Sequence, residues 1–142
     1  MRKPHTVLSM FLALVVLALG SWRTAAGQTF QHPGVLVSRA QLDYIKVMVA
    51  AHAEPFYSAF VKAQNSNIGS LDYQPYGPPS DGYIKCGPTS NPNIGCSNSD
   101  NDSSAAYLQS LLWYITGNQQ YANNAIKILN LYGYGLKGYS TG

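Results

Sequence analysis

The stretch "DNDSSAAYLQSLLWYITGNQQYANNAIKILNLYGYG", residues 100–135, decides the fold of this chain. In its first half Ala106, Leu108, Leu111, Leu112 and Ile115 recur at helical spacing and make one apolar side. Asp102 or Ser103 is the expected cap at the start, and Gly117 the expected left-handed residue at the end. In the second half Asn118 is placed to cap, and Tyr121, Ala125, Ile128, Leu129 and Tyr132 share a face. Two amphipathic helices joined by so short a link predict an antiparallel helical hairpin.

Upstream, "VSRAQLDYIKVMVAAHAEP" (37–55) opens with Ser38 and, three residues on, Gln41, the spacing of a capping box. Leu42, Ile45, Val49 and His52 then fall on one helical face. Pro55 interrupts this helix but suits the first turn of another, and Phe56, Phe60 and Ala63 continue the periodicity. Two short helices, or one kinked at the proline, are expected here.

Between these helical regions, residues 65–103 show no period and carry five of the chain's eight prolines, Pro75, Pro78, Pro79, Pro88 and Pro92. Structureless segments of this length are uncommon inside compact domains and often functional. Strand pairing is not expected, because Pro and Gly recur too often for a central strand.

The first 27 residues have the layout of a secretory signal peptide: Arg2 and Lys3, an apolar run over 7–19, and Ala25 and Gly27 before Gln28. The run is short of the about 20 residues a membrane span requires. No second such run follows, which predicts a secreted, extracellular protein (periplasmic in a bacterium), free of the membrane once the signal is removed. Three of the nine Lys and Arg lie in this segment and all six acids lie beyond it, so the remainder is balanced. That balance gives no basic stripe of the kind nucleic-acid binding needs. About 115 residues remain, enough for one small domain. All eleven tyrosines lie there, and a half-polar ring suits contact with sugars as well as helix packing.

Cys86 and Cys96, the two cysteines of the chain, flank "GPTSNPNIG" and are expected to form a disulfide in an exported protein. On the chain-entropy view, closing that loop stabilises the fold by roughly 2.5–3 kcal/mol. His32 and His52 are too isolated for a metal site, and neither metal nor cofactor is expected. His32 reads as a turn residue and His52 as the end of a helix. The acids Asp43, Glu54, Asp72, Asp81, Asp100 and Asp102 include no recognisable catalytic pair, and no Gly-x-Ser-x-Gly elbow or phosphate loop is present. Tyr107 and Trp113 read as core residues. Asn101-Asp102-Ser103 is a glycosylation sequon with Asn101 as acceptor.

Taken together, "HPGVLVSRAQLDYIK", "SNPNIGC" closely followed by "ND", and "AAYLQSLLWYITGNQQYANNAIKILN" resemble the N-terminal part of secreted alginate-lyase-domain proteins, which are helical-toroid polysaccharide lyases. The resemblance runs over roughly residues 30–140. It implies an all-α fold in which antiparallel helical hairpins form part of an incomplete (α/α) toroid with a long disulfide-pinned loop. It also implies β-elimination at a 4-linked uronate, performed by an Asn-His pair, a Tyr and an Arg, with an acidic, uronate-containing polysaccharide as partner. This chain has no Asn-His pair, and Arg39 is its one arginine outside the signal segment. The expectation is an N-terminal fragment spanning 28–142 whose catalytic residues lie elsewhere, with Tyr73, Tyr76, Tyr83, Asn101 and Asp102 on the rim of the sugar cleft. The alternatives are a non-catalytic secreted glycan-binding module and a structural or interaction protein.

Overall fold

A computed structural model describes residues 37–140; the signal peptide, His32 and most of the "HPGVLVS" entry lie outside the described residues. Among the described residues there are four α-helices: α1 (Arg39–Ala50), α2 (Phe56–Gln64), α3 (Cys96–Thr116) and α4 (Gln119–Gly135). A 3-10 turn (Asn67–Gly69) follows α2, and two short strands, β1 (Tyr83–Lys85) and β2 (Gly138–Ser140), complete the set.

Helix α1 starts at the expected capping box. The Ser38 N–H donates to Gln41 Oε1 at 2.8 Å and the Gln41 N–H donates to Ser38 Oγ at 3.3 Å. Leu42 and Val49 are buried, while His52 stands exposed just past the helix at a positive φ of 52°, its ring stacked on Tyr57. The interruption at Pro55 gives two separate helices. Glu54 steadies the second by accepting from the Ser58 N–H and hydroxyl.

The core lies where α3 meets α4. Ala105, Ala106 and Ile128 pack with Tyr73, flanked by Ile68 and Tyr132. The alanines let the two helix backbones approach closely, and Gln109, fully buried, donates from Nε2 to the carbonyls of Ile68 and Ser70. Gly117 takes the expected left-handed conformation at φ 72°, and Asn118 caps α4 by accepting from the Gln120 N–H at 3.0 Å.

Three expectations are corrected. Helix α3 begins at Cys96, well before Asp102, with Gly95 rather than Asp102 or Ser103 in the capping position. "SNSDNDSS" is a poor helix former by propensity. Cys96, just before this stretch, is tied by the disulfide to Cys86, and Asp102 within it is held in the interior, so tertiary contacts override local preference. Second, the loop does pair as strand: β1 runs parallel to β2 in the register Tyr83–Gly138, Ile84–Tyr139, Lys85–Ser140, and Lys85 bridges to Ile94. Residues 83–85 contain neither Pro nor Gly, and Ile84 is buried, which is enough for a three-residue pair. Third, Leu129 is 61% exposed and Tyr107 and Trp113 are 48% and 42% exposed, so these belong to the surface and not to the core.

Candidate functional site at the Asp102 clasp

Extending the apolar stripe of α3 back by one turn from Ala105 and Ala106 lands on Asp102. The carboxylate is fully buried and accepts four hydrogen bonds. Oδ1 takes the Tyr73 hydroxyl at 2.7 Å and the Tyr76 N–H at 3.1 Å. Oδ2 takes the Gly77 N–H at 2.8 Å and the Tyr132 hydroxyl at 2.8 Å. None of the four donors is a cation. Burial raises the Tyr73 and Tyr132 hydroxyls well above the usual phenol value, and the bond to Asp102 and its charge add to the shift. Both phenols therefore stay protonated as donors across the neutral range.

This one side chain ties the loop at residues 73–77 to α3 and, through Tyr132, to α4. Of the five residues expected at a sugar rim, Tyr73 and Asp102 are joined to each other in the interior, where their polar atoms are taken up by the chain. Tyr76 belongs to the same clasp through its backbone, yet its side chain is 59% exposed. Tyr83 is exposed on β1, with the Lys137 ammonium 6.0 Å from its ring centre. Asn101 is exposed on α3, next to the buried Asp102. Outward-facing groups are thus Tyr76, Tyr83 and Asn101, mounted on a frame that Asp102 and Tyr73 hold.

Below this loop the disulfide joins the residue after β1 to the first residue of α3, as expected from the two cysteines. Asp81 strengthens the approach to β1: it accepts from the Tyr83 N–H and from Lys85 Nζ at 3.1 Å. Those two contacts, in that order, hold its carboxyl below the ordinary value.

A second concave region lies between α1 and α3, a groove of about 440 Å3 whose lining includes Val37, Arg39, Leu42, Tyr107, Trp113 and Tyr114. The Tyr114 hydroxyl donates to Asp43 Oδ1 and accepts from Arg39 Nη1 at 3.3 Å. The Arg39 guanidinium and the Lys46 ammonium lie 5.8 and 5.7 Å from the Tyr114 ring centre. The bond to Asp43 raises the Tyr114 hydroxyl above its ordinary value.

Sequence reasoning missed Tyr132 as the fourth donor and missed the Arg39–Tyr114–Asp43 network. The first was signalled by an unmatched phenol on a buried stripe; the second joins residues 71 and 75 positions apart, which no local pattern links. Among the described residues no group of three or more His, Cys, Asp and Glu is arranged to hold a metal, and no helix is long and apolar enough to cross a membrane.

Comparison of the chain with models of known protein families, with curated proteins and with solved structures finds no match.

Proposed function

We propose that this chain is the N-terminal portion of an exported polysaccharide lyase of the alginate-lyase type, binding uronate-containing polysaccharide without cleaving it alone. The observation that carries the reading is the outer side of α4, where Ile126, Leu129 and Tyr134 are exposed on the second helix of a packed pair. In a toroid of helical pairs, such a stripe is where the next pair packs. The two-residue link between α3 and α4, and the bond from Asp102 near the start of one to Tyr132 near the end of the other, support the antiparallel hairpin such a toroid repeats. Elimination needs a base, an acid and donors for the uronate carboxylate within hydrogen-bond reach. The Asn-His pair that the resemblance implies for this work is not in the sequence.

The test is to incubate the full chain with polymers of 4-linked uronate and follow two signals, unsaturated product and retention of the protein in affinity electrophoresis. The expected result is retention without product. Robust elimination would overturn the assignment of the chemistry to residues outside this chain, and lack of retention by any uronate polymer would overturn the ligand class. The second reading, a glycan-binding module that is not part of an enzyme, is favoured by the clasp itself, because a loop so firmly held presents Tyr76 as a fixed sugar platform. A longer open reading frame carrying an Asn-His pair decides for the lyase over the module.

A further inference from the structure

Trp113 and Tyr107 have the periodicity of core residues, yet both are nearly half exposed on the flank of α3 that faces the groove against α1. Exposed Trp and Tyr beside a cation are a recognisable surface chemistry: flat apolar faces for a sugar ring and a fixed charge for its substituent. We propose that the groove between α1 and α3 is a binding site for a carboxylate-bearing saccharide, with Trp113 and Tyr107 against the sugar rings and Arg39 on the carboxylate.

The size fits, since about 440 Å3 falls within the roughly 300–1,000 Å3 of small-ligand sites. The charge fits as well. Arg39 uses one N–H on the Tyr114 hydroxyl, and a guanidinium has five donors in a planar fork that matches a carboxylate. Lys46 stands near the same ring, while Asp43, the acid of this network, already accepts the Tyr114 proton through Oδ1. Two cations therefore face one engaged carboxylate.

The alternative of an acidic peptide is disfavoured by the backbone. Apart from Val37, which precedes α1, the groove walls are the sides of two helices, whose N–H and C=O groups past the first turn of α1 are bonded along the helix and offer no strand edge for an extended peptide. Recognition must come from side chains, and those available are aromatic faces with a single fork of donors.

The site rests on the lyase reading only for the class of its ligand. It lies apart from the Asp102 clasp, and it stands or falls separately from catalysis.

The experiment titrates the full, isotopically labelled chain with a trimer of 4-linked galacturonate and with its fully methyl-esterified form, following the Trp113 indole N–H by NMR. Trp113→Phe assigns that signal and keeps an aromatic face. The trimer is expected to move the Trp113 signal at about millimolar concentration or below. Arg39→Gln is expected to weaken the trimer about tenfold and to leave the ester unchanged. Tyr134→Ala, at an exposed aromatic on the outer side of α4, is expected to leave both titrations unaffected, which separates this groove from contact with any exposed tyrosine.

An unmoved Trp113 signal with either sugar would overturn the site. Equal losses for trimer and ester in Arg39→Gln would overturn the carboxylate contact. A hexaglutamate peptide moving the signal as strongly as the trimer would overturn the saccharide assignment. Sedimentation showing a dimer that Trp113→Ala dissociates, with no competition from the trimer, would assign the groove to a second copy instead.

Discussion

At the scale of single residues, Asp102 concentrates more structural consequence than any other side chain, because four donors from two separate segments converge on it. Replacing it by Ala leaves two phenols and two backbone N–H groups, buried or part-buried, without their shared acceptor. Asp102→Ala is expected to lower the unfolding free energy by about 3 kcal/mol or more, read from urea midpoints on protein made in a non-glycosylating host. Tyr73→Phe and Tyr132→Phe each remove one donor and are expected to cost about 1–2 kcal/mol. Their double variant should depart from additivity, since both hydroxyls share one carboxylate. The same phenols set an alkaline limit. Their folded values lie above the ordinary 10.0, so the folded state holds protons that the unfolded state releases. Their contribution is complete below pH 10 and declines as pH rises from there toward the folded values. A urea-midpoint series across the alkaline range checks this, and the decline should shrink in Tyr73→Phe and Tyr132→Phe. A decline of equal size in the wild type and in both Phe variants, or one starting more than about a unit under the ordinary phenol value, would count against the clasp as its cause.

At the scale of elements, the legible features were those governed by neighbours in sequence. The Ser38–Gln41 box, the break at Pro55, the Gly117 terminus and the Asn118 cap each depend on a few adjacent residues, and each is present. The start of α3 was not legible, because "SNSDNDSS" becomes helical through contacts in space, the disulfide at Cys96 just before it and the buried Asp102 within it. Nor was the β1–β2 pair, which joins residues 55 positions apart in a register no local pattern encodes. The direction of the site residues was not legible: residue type suggests that Asp102 and Tyr73 face a sugar, whereas burial turns both inward onto each other. Gly95 marks the start of α3 with φ 79°, and a Cβ there would meet Pro79 Cγ at 2.7 Å. Gly95→Ala is therefore expected to cost about 1–3 kcal/mol. Pairing Cys86→Ser with Cys96→Ser is expected to lose roughly 2–3 kcal/mol. In both variants amide exchange should quicken first around residues 96–101, while the α3–α4 core keeps its protection.

For the molecule as a whole, the distribution of bare apolar surface is the feature that separates a self-contained module from part of a larger ring. Inner faces of α3 and α4 are filled by Ala, Ile and Tyr, whereas α4 turns Ile126, Leu129 and Tyr134, the last 90% exposed, away from that core. Side chains so exposed contribute little to the stability of this chain. Leu129→Gln with Tyr134→Gln is expected to change its unfolding free energy by less than about 0.5 kcal/mol and to reduce self-association at high concentration. Within a chain that carries a following helical pair, the same two substitutions bury polar groups at a packed interface. There they should cost about 2 kcal/mol or more. Measuring both chains distinguishes the readings: a large loss in the longer chain alone supports the toroid, and equal small effects in both would leave α4 facing solvent in the longer chain and overturn it. A large loss already in this chain would mean that α4 packs through this face without any further helices.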